Sequence, residues 1–374
     1  YSNGMMEIAR NGIFTPSMFS FNDVIIIFLA VMITDVLLLD VFNTLGLPTS
    51  TTVSVIFSLL GASVVLAVYK VYVSGDGFDT LGNYINTEKA SEIVYSILLS
   101  VALSFALGSL VQYVSRLIFT FHIEKRYKYV AALFGGVAMT AITFFILVKG
   151  LKSITFVPSE VKDFIKESPF TIIAYSLILW TIVCQLLISV FKYSVFKFII
   201  IVGTFGLALA FAGNDLVNFI GVPIAAYQAF EIWAAPGQTV GATEFMMSGL
   251  EKENLPAPFI FLALAGLVMV YTLWTSKKAK SVIETEQNLS RQGEGNEKYN
   301  ANTLSRNLVR AMMYLGNIIS FILPKSLQRK LDAQFVQPEY TGKRDEQPMF
   351  DMVRASVNLI VASILISIGT SMKL

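Results

Sequence analysis

Charge is scarce in this chain: Asp, Glu, Lys and Arg together make 14% of 374 residues, against roughly a quarter in a soluble domain. A protein wetted on all sides is thereby excluded. The formal net charge is +2, which leaves no electrostatic footprint for nucleic acid. Cysteine is almost missing; the single one, Cys184, lies inside an apolar run, so neither a disulfide framework nor a cysteine-ligated metal site can be built. It reads as a small core hydrophobe. Histidine is equally rare, and His122 sits beside Glu-Lys-Arg-Tyr-Lys in a connecting segment, as a solvated loop residue would. No initiator methionine, signal peptide or lipidation motif is present, and the chain stops at Ser-Met-Lys-Leu straight after an apolar run. The expectation is a fragment at both ends. Alternating apolar segments of about ten residues, the mark of a membrane β-barrel, are also missing.

What the chain has is hydrophobicity, at 55% of its residues. A helix needs about 20 apolar residues to cross a bilayer. Candidate spans by that measure are 22–47, 53–73, 91–119, 129–148, 170–192, 197–233 with an interruption, 257–276 and 352–373. The reading is an all-α polytopic membrane protein. Lys and Arg are retained on the cytoplasmic side of short loops, which places there Arg116, Lys125, Arg126 and Lys128, then Lys192 and Lys197, then the Lys-Lys-Ala-Lys run at 277–280. The acid-weighted loops 74–90 and 236–258 should face outward.

The domain reading is a membrane domain over 1–276, a polar cytoplasmic insert over 277–351 and a further membrane helix over 352–374. The first part of the insert, Glu-Thr-Glu-Gln-Asn-Leu-Ser onward from Glu284, has the composition of a flexible linker. After it, residues 304–331 carry apolar side chains at helical spacing among Arg306, Arg310, Lys325, Arg329 and Lys330. Two readings suit that pattern: a helix lying on the inner leaflet, or one packed on the protein's own cytoplasmic face. Nothing in the insert supplies a nucleotide motif or a set of catalytic residues, so the chain is not expected to be an enzyme.

Two polar stretches interrupt the apolar sequence. Phe-Asn-Thr-Leu-Gly-Leu-Pro-Thr-Ser-Thr-Thr-Val-Ser covers 42–54, and Gly-Asn-Asp-Leu-Val-Asn-Phe-Ile-Gly-Val-Pro covers 213–223. Such residues are tolerated at membrane depth where a broken helix faces protein or a wet cavity. In the second stretch Asn214 and Asn218 share a helix face with Asp215 beside them, and Gly213 and Gly221 could let the backbone open. An intramembrane carboxylate costs about 2.5–3.5 kcal/mol on translocon scales, which makes it a functional candidate by default. The plainer alternative is an interhelical hydrogen-bond clasp, and for the Ser/Thr cluster plain helix packing. A run of hydroxyls behind a proline also offers O–H donors and the free N–H groups of a helix start to an oxyanion. With no Lys or Arg in either stretch, an anion there would need a co-bound cation to offset Asp215. The chemistry is that of cation-coupled anion transport.

These residues carry a family resemblance. Phe-Ala-Gly-Asn-Asp-Leu-Val-Asn-Phe-Ile-Gly-Val-Pro resembles the Gly-Ala-Asn-Asp-Val-Ala-Asn signature of the inorganic phosphate transporters, sodium- or proton-coupled symporters. Leu-Gly-Leu-Pro-Thr-Ser-Thr-Thr-Val-Ser is similar to their Leu-Pro-Val-Ser-Thr-Thr-His segment. The resemblance implies two inverted repeats with broken or re-entrant helices at the midplane, each repeat carrying both motifs. Here one copy of each is visible; the ends, where Ser-Ile-Gly-Thr-Ser-Met-Lys-Leu parallels Asp-Val-Phe-Asn-Thr-Leu-Gly-Leu, suggest that the others lie before Tyr1 and after Leu374. It further implies a multi-pass protein of the plasma (inner) membrane, a homodimer in the lipid bilayer, no cofactor, and phosphate import with sodium as coupling ion. On that implication Ser50, Thr51, Thr52, Asn214 and Asn218 bind phosphate, and Asp215, Asn214, Asn218 and Ser50 bind sodium. The family's histidine is replaced by Val53, which disfavours a proton relay there. Proton coupling, sulfate as substrate, or a channel or structural subunit are the alternatives. Asp35 and Asp40 match nothing in the motif; they belong either to an ion path or to a wet helix end.

Overall fold

The computed structural model describes residues 6–119, 127–150, 160, 164–165, 167–252, 255, 257–289, 303–336 and 351–371. His122 lies outside them, as do residues 290–302 of the expected linker and the side chain of Asn214. The main helices are α1 (Phe21–Thr44), α2 (Thr51–Ser74), α3 (Thr87–Phe119), α4 (Tyr127–Phe145), α5 (Pro169–Ser189), α6 (Val195–Ala234), α7 (Phe259–Thr275), α8 (Lys277–Leu289), α9 (Thr303–Ile322), α10 (Lys325–Gln334) and α11 (Met352–Ser371). Among the described residues the only β-type pairings are two isolated bridges, Phe14 with Ile85 and Ser20 with Met246. Among the described residues seven helices are long and apolar enough to span a membrane, and α7 with α8, bent by 68° at Ser276, would make an eighth. The all-helical, multi-pass reading holds.

Two expectations need correction. Residues 197–233 do not form an interrupted span: α6 runs for 40 residues, with Pro223 inside it. Proline removes one donor and frees one carbonyl, while in an apolar medium the remaining backbone bonds have no water to compete with them. The helix therefore persists through Gly213, Gly221 and Pro223. The linker expected from Glu284 also begins later, because α8 continues to Leu289.

The chain divides into two compact units, one of residues 1–100 and 208–285, the other of 101–207 and 286–374. The first is built around α1, α2 and the latter part of α6. Val24, Ile27, Phe28 and Val31 of α1 pack with Val55, Leu59, Ala67 and Val71 of α2 and with Val222, Ala225 and Ala229 of α6. Phe14 joins them, edge-on to Phe19 at 5.6 Å and to Phe28 at 6.2 Å between ring centroids. The start of α1 is fixed by a capping box: Ser20 accepts from the Asp23 amide and Asp23 accepts from that of Ser20. Asp23 is also held by Lys70 of α2 at 2.6 Å.

In the second unit α4, α5 and α11 pack through small residues. A methyl group at Gly135 would lie 2.7 Å from the Cys184 sulfur, and one at Gly136 would lie 3.1 Å from the Thr181 Cα; such close approach is the usual device of membrane helices. Cys184 is fully buried there, as a small core hydrophobe should be. Arg116 of α3 pairs with Asp351, whose Oδ1 accepts from the amides of Val353 and Arg354 at 2.9 and 3.1 Å and so starts α11. In the polar insert, the amphipathic stretch forms α9 and α10, parted at Pro324. Leu308, Met312, Leu315 and Ile318 of α9 are exposed.

Candidate functional site

All the described members of the site lie in the first unit, where the start of α2 meets α6. The chain leaves α1 at Thr44, turns through Gly46 in the left-handed region at φ +62°, where a side chain would be strained, and passes Pro48 before α2 begins at Thr51. The expected break at 42–54 is real. Ser50 caps the new helix, its Oγ accepting from the Val53 amide at 3.3 Å. The Ser54 amide donates to the Ser50 carbonyl at 3.1 Å. That is the first bond of the helix; of the four amides that a helix start leaves over, Val53's is capped and those of Ser50, Thr51 and Thr52 remain.

The threonine hydroxyls face α6. Thr51 Oγ1 donates to Asp215 Oδ1 at 3.2 Å and accepts from Asn218 Nδ2 at 2.8 Å. The same Nδ2 donates to Thr52 Oγ1 at 2.8 Å. Asn218 is 3% exposed, and its amide oxygen is buried without a hydrogen-bond partner. An orphaned acceptor of this kind costs about 1–3 kcal/mol, so it calls for a ligand that accepts its lone pairs. The Asp215 carboxylate and the Thr51 hydroxyl, oxygens of the kind a hard cation takes, belong to the same hydrogen-bonded group.

The sequence-predicted residues thus divide. Thr51, Thr52, Asp215 and Asn218 are brought into one hydrogen-bonded group. Ser50 stands next to them, exposed, with its oxygen engaged in the cap and its proton still available to donate. The side chain of Asn214 lies outside the described residues.

Of the two unassigned carboxylates, Asp40 is exposed and paired with Lys278 at 2.5 Å. Asp35 is buried on α1 and accepts from Ser54 and Ser58 of α2. Sequence reasoning gave those two serines no role, although their spacing of four puts them on one face. It also passed over Arg10, buried in the π-helical turn Ile8–Gly12 with Nε and Nη1 unpartnered. Burial pushes its guanidinium below the ordinary value, and Glu7 opposes the shift.

A solved structure described as the sodium-dependent phosphate transporter has the same fold at 15% sequence identity, with a TM-score of 0.51 over 99% of this chain and 71% of its own. No curated protein sequence matches the chain. The model of the phosphate transporter family matches residues 2–286, and that range takes in both polar stretches and every member of the group around Asp215. The chain belongs to the phosphate transporter family.

Proposed function

We propose that this transporter imports inorganic phosphate across the plasma membrane by sodium symport, through the group formed by the start of α2 and α6. The observation that carries the reading is the buried, unpartnered amide oxygen of Asn218 beside Asp215 and Thr51. Sodium is held by Asp215, Asn218 and Asn214, with Ser50 completing the set of hard oxygens. Phosphate sits beside it on the hydroxyls of Ser50, Thr51 and Thr52, the leftover amides of Thr51 and Thr52, and the amide groups of Asn214 and Asn218. The positive end of α2 adds to its hold on the anion. The cation's charge offsets both the carboxylate and the incoming anion. Val53 in place of an imidazole supports sodium over a proton as the coupling ion.

In the bilayer the protein is an inverted-repeat homodimer with the site at midplane and 277–351 on the cytoplasmic side. The exposed apolar face of α9, flanked by Arg306 and Arg310, suits an anionic inner leaflet. Radiolabelled phosphate uptake by the full-length protein in liposomes tests the central reading. Concentrative uptake driven by an inward sodium gradient is expected. Uptake indifferent to sodium and driven by a pH gradient would replace sodium with a proton, and none under any gradient would leave a channel or structural subunit. Single cysteines in loop 74–90 should react with an impermeant maleimide from outside, and those at 277–300 only after permeabilisation. The reverse pattern would overturn the orientation.

A further inference from the structure

Just ahead of α1, a charged side chain is folded inside without a counter-charge. Arg10 is 3% exposed, and its Nε and Nη1 are buried with no hydrogen-bond partner. Lys70, Arg116 and Lys278 each have a carboxylate, from Asp23, Asp351 and Asp40 in turn. Arg10 has none among the described residues; Glu7, three residues before it, is exposed and makes no ion pair with it. We propose that Arg10 forms an outer binding site for inorganic phosphate, separate from the group around Asp215 and occupied by the anion on its way there. The inference rests on the symport reading above and extends it.

Three features point to an anion here over a side chain kept for packing. A guanidinium stays charged at neutral pH even where burial lowers its pKa, and a buried charge without a partner is strongly destabilising. Methionine would fill the same space at no such cost. The free groups are N–H donors in a rigid plane, the kind that grips the oxygens of a phosphate through charge-assisted hydrogen bonds. A water molecule could accept from one of them, but it would leave the charge unbalanced. Finally, Arg10 supplies what the central group lacks. Neither polar stretch holds a Lys or Arg, so phosphate there depends on a cation, whereas at Arg10 the protein provides the positive charge and the anion needs no sodium.

The turn that carries Arg10 lies beside the transport site. Met6, four residues earlier and so on the same side of the turn, packs with Val217 and Ile224 of α6. A methyl group on Gly221 would lie 4.0 Å from the Met6 Cγ. Val217 is the chain neighbour of Asn218, and Gly221 is three residues beyond it. Ala9 and Ile13 join the core shared by α1, α2 and α6. On the orientation proposed above, α6 runs outward from Asn218 toward Ala234, which puts this turn on the extracellular side of the site. The outward loops gather round it: the Asn86 amide donates to the Ile13 carbonyl at 3.0 Å, and the turn Ser248–Glu251 packs on it. An anion entering from outside meets Arg10 before it meets Asn218.

The test is phosphate-induced thermal stabilisation of the full-length protein in detergent, in potassium buffer free of sodium, with potassium sulfate and chloride at matched ionic strength as controls. Wild type should be stabilised by phosphate alone, since a ligand that binds only the folded state raises the melting temperature. Arg10→Met should melt at least as high as wild type without ligand, and should lose the phosphate shift. In liposomes under a saturating inward sodium gradient it should raise the phosphate KM about tenfold or more, as the loss of charge-assisted hydrogen bonds requires. Should Arg10→Met fail to fold, Arg10→Lys keeps the charge but gives up the planar donors. It should need about fivefold more phosphate than wild type for half the sodium-free shift. No sodium-free shift in wild type, an equal shift from sulfate or chloride, or a wild-type phosphate response in Arg10→Met or Arg10→Lys would overturn the inference and leave the symport reading standing. An Arg10-dependent shift in a protein without sodium-driven uptake would support the site and overturn the symport reading alone.

Discussion

Asp215→Asn is expected to leave the protein folded while its sodium-dependent phosphate uptake collapses. The substitution keeps an oxygen where Thr51 donates at 3.2 Å, so the contact between α2 and α6 survives in shape and only the negative charge is lost. Because a carboxylate at membrane depth costs about 2.5–3.5 kcal/mol on insertion scales, its removal should hold or raise thermal stability in detergent. Stability retained and function lost is the signature of a residue kept for its charge. Phosphate affinity should fall along with sodium affinity, since the two ligands are linked and the coupling is reciprocal. The checks are sodium-driven uptake in liposomes and a melting curve of the same preparation. If Asp215→Asn transports phosphate with an unaltered sodium dependence, Asp215 is a clasp between helices and the cation lies elsewhere.

How much of this was legible in the sequence differs between the two polar stretches. At 42–54 the expected break is present because two local causes agree: Pro48 cannot continue a helix, and Ser50 can cap the next one. At 213–223 the same kinds of residue led to the wrong expectation for the backbone and a sound grouping of side chains. Glycine and proline weaken a helix in water, where freed backbone groups find other partners. In an apolar setting those partners are missing, and α6 stays helical. Asn218 and Asp215 still face the hydroxyls of α2, since their placement on a helix face depends on spacing and not on a break.

Asp35 could be flagged from the sequence but not assigned. α1 is apolar on all sides, so no polar stripe marks which side chains point inward. The partners of Asp35 are 19 and 23 residues away, and only packing of α2 against α1 brings them there. The division into two units was likewise hidden. Each unit is assembled from two separated lengths of chain, and the apolar composition of α3 and α6 does not change where they pass from one to the other.

Thr51→Ala is expected to give the largest loss in phosphate affinity of any hydroxyl deletion at the site. Its Oγ1 is the shared atom of the group, donating to Asp215 and accepting from Asn218, whereas Thr52 Oγ1 accepts from Asn218 alone. Alanine at 51 strips Asp215 Oδ1 of its hydroxyl donor and removes one of the two acceptors from Asn218 Nδ2. A buried polar group left short of a partner costs about 1–3 kcal/mol, which corresponds to a rise of about 5- to 150-fold in the phosphate KM measured at saturating sodium. Ser50→Ala is a poorer probe, because it also removes the cap on the Val53 amide and so loosens the helix start by about 1 kcal/mol. Thr51→Ser keeps the hydroxyl and gives up only a methyl group, so it should restore most of the affinity. The comparison separates chemistry from packing: a hydroxyl role predicts that serine rescues and alanine does not. Equal, near-normal KM values for both variants would make Thr51 a packing residue and remove the hydroxyls of α2 from the phosphate site.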